Sequence, residues 1–385
     1  MSLPTRRQLL WGSGGLVLGA ALPSCANRSR ALAPVPALPE PAVAPPPAPP
    51  PVPVVPADTG LLPVPDLSEA RILRFVAGVR PYRRGTVRFE REAVEGRTVV
   101  HNYGHGGSGF TLAFGCAEDV TEAVLELHAP PEPVAVLGAG VIGLTCAQRL
   151  RAAGFPVRVL AREMPPDTTS DLAGAQWAPS IVAHGRTQAE RARFERWLRR
   201  SFAAYAALEG ERYGILRRPN YTTLGAGGGL RAIPSDLIPP SERLDRLPFP
   251  GVERPGELFH TLLIEPPRFL PALVHDLTAA GVELVRTELT GPEAALALPE
   301  RVLVNCLGLG GAILGADPAL QPIRGQLVHL EPQDLPYLLS HSGYLFPRSD
   351  AVVLGGTVER GVEVARPDPA RCRSILANHR RFFAT

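Results

Sequence analysis

Lysine is absent from the 385 residues, so all 40 basic side chains are arginine. That excludes a Schiff-base lysine, a P-loop lysine and the serine–lysine enzymes. A formal net charge of +3 is too small to suggest a nucleic-acid partner. The five cysteines, at 25, 116, 146, 306 and 372, show no C-x-x-C and no zinc spacing. Neither a redox motif nor a structural metal is signalled, and the last four read as buried thiols. His101 and His105 share a glycine-filled loop with no third ligand nearby, so no metal is expected there either.

Proline (43) and glycine (38) are abundant instead, and fourteen of the prolines fall between Pro34 and Pro65. The remainder has an ordinary globular composition, with 45% hydrophobic residues overall. The chain starts with Thr5-Arg6-Arg7-Gln8-Leu9-Leu10 and an apolar stretch through Ala21, with no acidic residue before Glu40. This is the build of an export signal, and the stretch is too short for a membrane span of ~20 residues. Paired arginines before Leu-Leu resemble the twin-arginine signal for folded cargo. Leu22-Pro23-Ser24-Cys25 resembles a lipobox, which implies a lipid on Cys25; cleavage after Ala26 is the competing reading. Residues 27–66 form a Pro/Ala/Val tract that builds no core and reads as a stalk. The expected location is therefore periplasmic, or on the envelope through Cys25.

Val134–Leu137 reads as a short apolar strand, followed at once by Gly138-Ala139-Gly140-Val141-Ile142-Gly143. A helix over Leu144–Ala153, closed by Gly154, and a strand over Val157–Leu160 complete a dinucleotide-binding unit. Gly138 permits the tight turn, Gly140 the approach of a pyrophosphate and Gly143 close helix–sheet packing. The helix N-terminus supplies free N–H groups to the phosphates. The motif fits NAD and FAD alike. Glu163, after the second strand, is the candidate ribose acceptor and Arg162 a phosphate or ribose partner.

The next stretch, Pro166-Asp-Thr-Thr-Ser-Asp-Leu-Ala-Gly-Ala-Gln-Trp177, resembles the P-x-T-T-x-D-x-A-x-x-x-W segment of the D-amino-acid and D-aspartate oxidases. Two further blocks are similar to that family: Asn305–Gly308 with Gln321-Pro-Ile-Arg-Gly-Gln326, and Tyr344-Leu-Phe-Pro347 with Leu354-Gly-Gly356. The family's C-terminal elements are also present, as Gly78-Val-Arg80-Pro81 and His101-Asn-Tyr-Gly-His-Gly-Gly-Ser-Gly109. Here they precede the dinucleotide motif, and the chain ends in a helix-like run, Pro369 to Phe383. The resemblance therefore implies a circular permutation. Residues 67–129 are equivalent to the family's C-terminal part, and 130–385 hold an FAD domain interleaved with a substrate domain. The fold class is α/β: a Rossmann-like FAD domain and a mixed-sheet substrate domain. Between 186 and 300, Phe194, Trp197, Phe202 and Tyr205 fit a buried helix face.

The resemblance further implies FAD as cofactor and a D-amino acid as substrate. Oxidation at Cα needs a two-electron acceptor that no side chain provides. Hydride transfer from Cα to flavin N5 would give an imino acid, then a 2-oxo acid and ammonia. Molecular oxygen or another acceptor would reoxidise the flavin, with hydrogen peroxide as the product in the former case. Arg80 occupies the G-x-R-P position, and its guanidinium suits a carboxylate through two parallel hydrogen bonds. Tyr344 matches the tyrosine whose hydroxyl assists it. The family's second tyrosine falls on Ser340, which implies a more open or polar pocket, to which Ser108 is also assigned. Thr168, Thr169, Ala173, Gly174, Ala175 and Gln176 would contact FAD. Gly106, Gly107 and Gly109 would let backbone pass against the flavin, while Phe110 and Thr111, at a helix N-terminus, would approach its pyrimidine end. The extra arginine of the D-aspartate branch falls on Val358, with Arg348 and Arg360 near in sequence. D-aspartate, glycine or a secondary amine is thus an alternative substrate, and a non-catalytic FAD-binding envelope protein is an alternative of another class.

Overall fold

A computed structural model describes residues 60–226, 229 and 232–384. The expected export signal, with Arg6, Arg7 and Cys25, and most of the stalk lie outside these residues.

The folded part begins with β1 (Ile72–Arg83), β2 (Arg88–Val94), β3 (Arg97–Tyr103) and α1 (Gly109–Leu125). Then come β4 (Val134–Leu137), α2 (Val141–Ala152), β5 (Val157–Ala161) and α3 (Gln188–Ala207). The middle continues with β6 (Ile215–Thr223), β7 (Glu242–Leu244), β8 (Gly256–Ile264), α4 (Pro266–Ala279), β9 (Glu283–Arg286), α5 (Pro292–Leu296) and β10 (Val302–Asn305). The last part is β11 (Leu320–Leu330), β12 (Leu338–Ser340), β13 (Tyr344–Pro347), β14 (Val352–Gly355), β15 (Glu359–Arg360) and α6 (Pro369–Phe383).

Two sheets result. The six-stranded sheet has the order β2-β3-β10-β4-β5-β9 and is parallel except for β2. Its inner strands β4 and β10 are runs of four buried residues, as a sheet covered on both faces requires. β10 lies between β3 and β4, pairing Asn305 with both His101 and Leu137. That register brings the 104–108 loop and the Gly138 turn to the same end of the sheet. The nine-stranded sheet runs β1-β11-β14-β13-β12-β6-β8-β7, with β15 also on β11. β1 is antiparallel to β11 from Ile72↔Leu330 to Arg83↔Leu320. Residues 72–103 thus supply strands to both sheets.

Local chemistry explains the helices that frame the site. α3 opens with a capping box, Thr187 and Glu190 each bonding the other's backbone N–H. It buries Phe194, Trp197, Phe202 and Tyr205, the face expected from their spacing. Trp197 donates to Asp119 of α1 at 2.8 Å, and Arg196 and Arg200 pair with the same carboxylate. In α6, the Asp368 side chain accepts from the N–H groups of Ala370 and Arg371, with Pro369 at the first turn. α6 buries Cys372, Ile375, Leu376 and Phe382 in a cluster that includes Leu67. In its last turn, Arg380 donates to the Leu67 carbonyl at 2.8 Å.

The stalk ends earlier than expected. Leu62 N–H donates to the Pro248 carbonyl at 2.7 Å, Tyr337 donates to the Pro63 carbonyl at 2.6 Å, and Pro65 is buried. Proline lacks an N–H but keeps its carbonyl, so a proline-rich segment can still dock. The folded part therefore begins near Leu62 rather than Leu67.

Candidate functional site

A cavity of about 1050 Å³ runs between the two sheets. One end is lined by Arg162, Glu163 and Glu288 at the end of the dinucleotide unit; the other by Arg80, Ser340 and Tyr344. Gly138, Ala139, Gly140, Val141 and Ile142 line it, as do Thr168, Thr169 and Ala173 through Gln176. So do Gly106, Gly107, Gly109, Phe110 and Thr111. One chamber thus gathers residues from the dinucleotide motif and from each of the blocks that resemble the oxidase family.

At the dinucleotide end the backbone sets the geometry. Gly138 has φ +108°, in the region that disfavours side chains, and a Cβ there would lie 2.5 Å from the Cys306 carbonyl oxygen. Gly143 does not line the cavity; its Cβ would lie 1.9 Å from the Gly138 carbonyl oxygen, so its bare Cα lets α2 sit on β4. α2 begins at Val141, closer to the turn than the sequence suggested. Its first N–H, that of Val141, donates to the Ser170 hydroxyl at 3.0 Å. Ser170 was not singled out from sequence, although it stands inside the Pro166–Trp177 segment. Glu163 and Arg162 pair with each other at 3.0 Å, and Arg162 also reaches Glu288. Thr168 gives its N–H and hydroxyl to Asp171, whose carboxyl burial holds above the usual carboxylate range against those bonds.

At the other end side chains set the geometry. β1 carries Arg80 opposite Ile323, and its guanidinium lies flat over Gly325, where a Cβ would come within 2.3 Å of Nη1. Arg80 Nη1 donates to the Thr357 carbonyl at 3.3 Å. Gly325 belongs to the Gln321–Gln326 block, yet its part in seating Arg80 was not read from sequence. Tyr344 lies over Gly355 and stacks on Phe346, ring centres 4.5 Å apart and planes 17° from parallel. Burial raises the Tyr344 hydroxyl above the usual phenol range, while Arg80, through charge and a hydrogen bond, pulls it back down. The phenol is therefore a neutral donor beside a cation. Ser340 pairs with Tyr344 across the β12–β13 hairpin and accepts from Asn220 at 3.1 Å. α6 holds this hairpin from behind: Asn378 donates to Ser342 at 2.8 Å, and His379 meets the Tyr344 carbonyl at 3.0 Å.

Several expectations need correcting. Ser108 does not line the cavity. Its hydroxyl donates to the Ser180 carbonyl at 3.0 Å and accepts from the Ser180 N–H at 2.8 Å, so it staples two backbone segments. The space a side chain would need at Gly106 and Gly107 is filled by the backbone of Ile181 and Ser180; only at Gly109 is nothing but Val141 near. Thr111 donates its hydroxyl proton to the Ala178 carbonyl at 3.0 Å, leaving its oxygen able only to accept. Arg348 is buried, forks onto Asp350 at 2.6–2.8 Å and donates to the Ala173 carbonyl, and Arg360 lies over the Tyr82 ring. Neither lines the cavity, so neither stands in for the arginine that Val358 replaces. His105 is buried against Cys116 Sγ, and burial lowers its pKa to about 3. Among the described residues no group of three or more His, Cys, Asp or Glu could hold a metal.

The chamber suits a flavin dinucleotide. Gln176 Nε2 and Asn102 Oδ1 are buried without hydrogen-bond partners, and both residues line the cavity. The first turns of α1 and α2 open onto it, where helix N–H groups have no intrahelical acceptor. A sequence profile described as FAD dependent oxidoreductase matches residues 59–123 and 133–385. The chain belongs to that family. This FAD-dependent oxidoreductase is 34% identical over 255 residues to a D-amino-acid oxidase of Rubrobacter xylanophilus, covering 63% of this chain and 74% of that protein. It is 33% identical over 264 residues to a D-amino-acid oxidase of Streptomyces coelicolor, covering 63% and 75%. A D-aspartate oxidase of Homo sapiens is 26% identical over 260 residues, covering 63% and 74%.

Proposed function

We propose that this oxidoreductase oxidatively deaminates D-amino acids to 2-oxo acids and ammonia, passing the electrons to molecular oxygen. The observation that carries the reading is that Arg80 and Tyr344, from distant parts of the chain, face the cavity that the dinucleotide turn opens onto. FAD, when bound, supplies the two-electron acceptor. The Arg80 guanidinium would hold the substrate carboxylate by two charged hydrogen bonds, and the neutral Tyr344 hydroxyl would donate a third. Fixing the carboxylate fixes Cα, so that its hydrogen has one direction in which to leave. Loss of that hydrogen with its electron pair, and of a proton from the amine, gives the imino acid; water then yields the 2-oxo acid and ammonia. Two curated D-amino-acid oxidases among the relatives support the substrate class. The commitment of Arg348 to Asp350 and of Arg360 to Tyr82 speaks against an acidic substrate. A peroxide assay across D- and L-amino acids tests the reading: D-amino acids should give peroxide, and a flavin-loaded protein that oxidises none would overturn it.

We also propose that residues 62–129 and 130–385 carry the family's parts in exchanged order. The profile match breaks at 124–132, where the exchanged pieces would join. The Arg380–Leu67 contact supports the other end of the exchange, because a permutation needs the original junction to be short. A gene rearranged to start at Val134 and to place 62–129 after Thr385 should yield protein that binds FAD and stays active; loss of both would refute the exchange. Export through Arg6-Arg7, with a lipid on Cys25, completes the proposal. Arg6→Lys with Arg7→Lys should strand precursor in the cytoplasm, and Cys25→Ala should release the protein from membranes.

A further inference from the structure

We infer that the preferred substrate carries a positive charge at the end of its side chain and that Glu363 receives that charge. This rests on the reading of the cavity as an amino-acid oxidase site. Four carboxylate residues line the cavity: Glu163, Asp167, Glu288 and Glu363. Three of them are matched by arginines at the dinucleotide end, Glu163 and Glu288 by Arg162, and Asp167 by Arg286 at 3.9 Å. Glu363 has neither an ion pair nor a side-chain hydrogen bond among the described residues, and it is exposed. It stands three residues after Arg360, which pairs with Ile323, the β11 residue that Arg80 pairs with from the other side, and Thr357, just before β15, accepts at its carbonyl from the Arg80 guanidinium. The substrate end therefore offers one cation and, six residues beyond that contact, one unmatched anion.

The positive alternatives are used up. Arg348 and Arg360 do not line the cavity, and His341, which does, is kept neutral: burial first, then His379 and Arg254, lower its pKa to about 3. An acidic substrate side chain would find Glu363 and no second cation. The wall also includes Val358, 52% exposed and next in the chain to Thr357, and the small polar groups of Ser340 and Ser342. A long side chain with an aliphatic stem and a cationic tip suits these surfaces, the stem covering Val358 and the tip staying wet. D-arginine, D-lysine and D-ornithine have this form.

An ion pair open to water is weak, so the preference should be a matter of several-fold rather than orders of magnitude. The comparison therefore has to be isosteric. D-arginine should be oxidised with a kcat/KM roughly three- to tenfold above that of D-citrulline, which has the same shape and no charge. Glu363→Gln should bring the ratio close to one, and added salt should shrink it in the unaltered protein. Binding is read separately with 5-guanidinopentanoate and 5-ureidopentanoate, which lack the amine and cannot be oxidised. Their affinities for the FAD-loaded protein, followed by flavin absorbance, should differ by a similar factor that Glu363→Gln removes. Equal or reversed preference in the unaltered protein, or a preference that survives Glu363→Gln, overturns the inference. If no D-amino acid is oxidised, the oxidase reading falls on its own, and the binding pair still decides the role of Glu363.

Discussion

The two ends of the cavity are built from different materials. At the dinucleotide end the important atoms are backbone: a turn at Gly138, helix N-termini, and absent side chains that let one segment lie against another. At the substrate end they are side chains delivered by separate strands: Arg80 from β1, Ser340 from β12 and Tyr344 from β13. A backbone site tolerates little change in shape, because a Cβ cannot move out of the way. A side-chain site can lose a group and keep its walls. Substitutions at the two ends should therefore fail differently, the first losing the cofactor and the second losing the chemistry.

The largest effect is expected at Gly138. Gly138→Val adds a branched side chain at φ +108°, where the Cβ alone would sit 2.5 Å from a backbone oxygen. The variant should purify without flavin or fail to fold; normal FAD content, measured by absorbance after denaturation, would break the contrast. Arg80→Ala should do the opposite: FAD content stays normal while kcat/KM for a D-amino acid falls by roughly 10²–10³, the range for removing one partner of a desolvated charge pair. Arg80→Lys should recover little, because a point charge lacks the two-pronged fit to a carboxylate. Parallel loss of flavin and activity in the Arg80 variants would show that the two ends are not separable.

The same difference decided what could be read from sequence. Gly138, Gly140 and Gly143 form a motif within six residues, so strand, turn and helix were legible with no other information. The face of α3 was legible too, since Phe194, Trp197, Phe202 and Tyr205 keep one periodicity. Arg80 is one of 40 Lys-or-Arg positions, all arginine, and nothing local marks it; only the resemblance of its surroundings picked it out. Ser108 was misassigned because position in a motif does not say which way a group faces. Ser108 meets Ser180, 72 residues away, through a pairing that sequence does not encode locally. Glu363 was missed because its meaning lies in a missing partner, which only the assembled charges reveal.

Acid should act on the substrate side through buried histidines. Burial lowers His329 to about 4, helped by Arg348 and Arg74, and His341 to about 3. Both lie below the unfolded value of about 6.5. Their contribution to stability is therefore full above about pH 6.5 and lost as pH falls towards 4 and below, since the unfolded chain takes up the protons first. The unfolding midpoint should drop over that window. His329→Gln should flatten the drop, because it removes a group that would charge between two arginines. A stability profile flat from pH 7 to 4, or one unaffected by His329→Gln, would show that the histidines charge as freely folded as unfolded.

The smallest effect is expected where the first reading of the pocket failed. If Ser108 were a substrate group, Ser108→Ala would raise KM. As a staple the buried Ser108 holds the backbone of the exposed Ser180 by a donated and an accepted bond, at 3.0 and 2.8 Å. Removing the hydroxyl gives up both bonds but leaves the Ser180 N–H and carbonyl within reach of water, a loss of about 0.5–1.5 kcal/mol in stability. The wall it anchors also presses on Gly106 and Gly107, so any slackening should be felt first as faster FAD dissociation. KM and kcat with saturating FAD should stay within about twofold, the range left when no reacting group is touched. A rise in KM at unchanged stability would return Ser108 to the substrate end and move the border between the two materials.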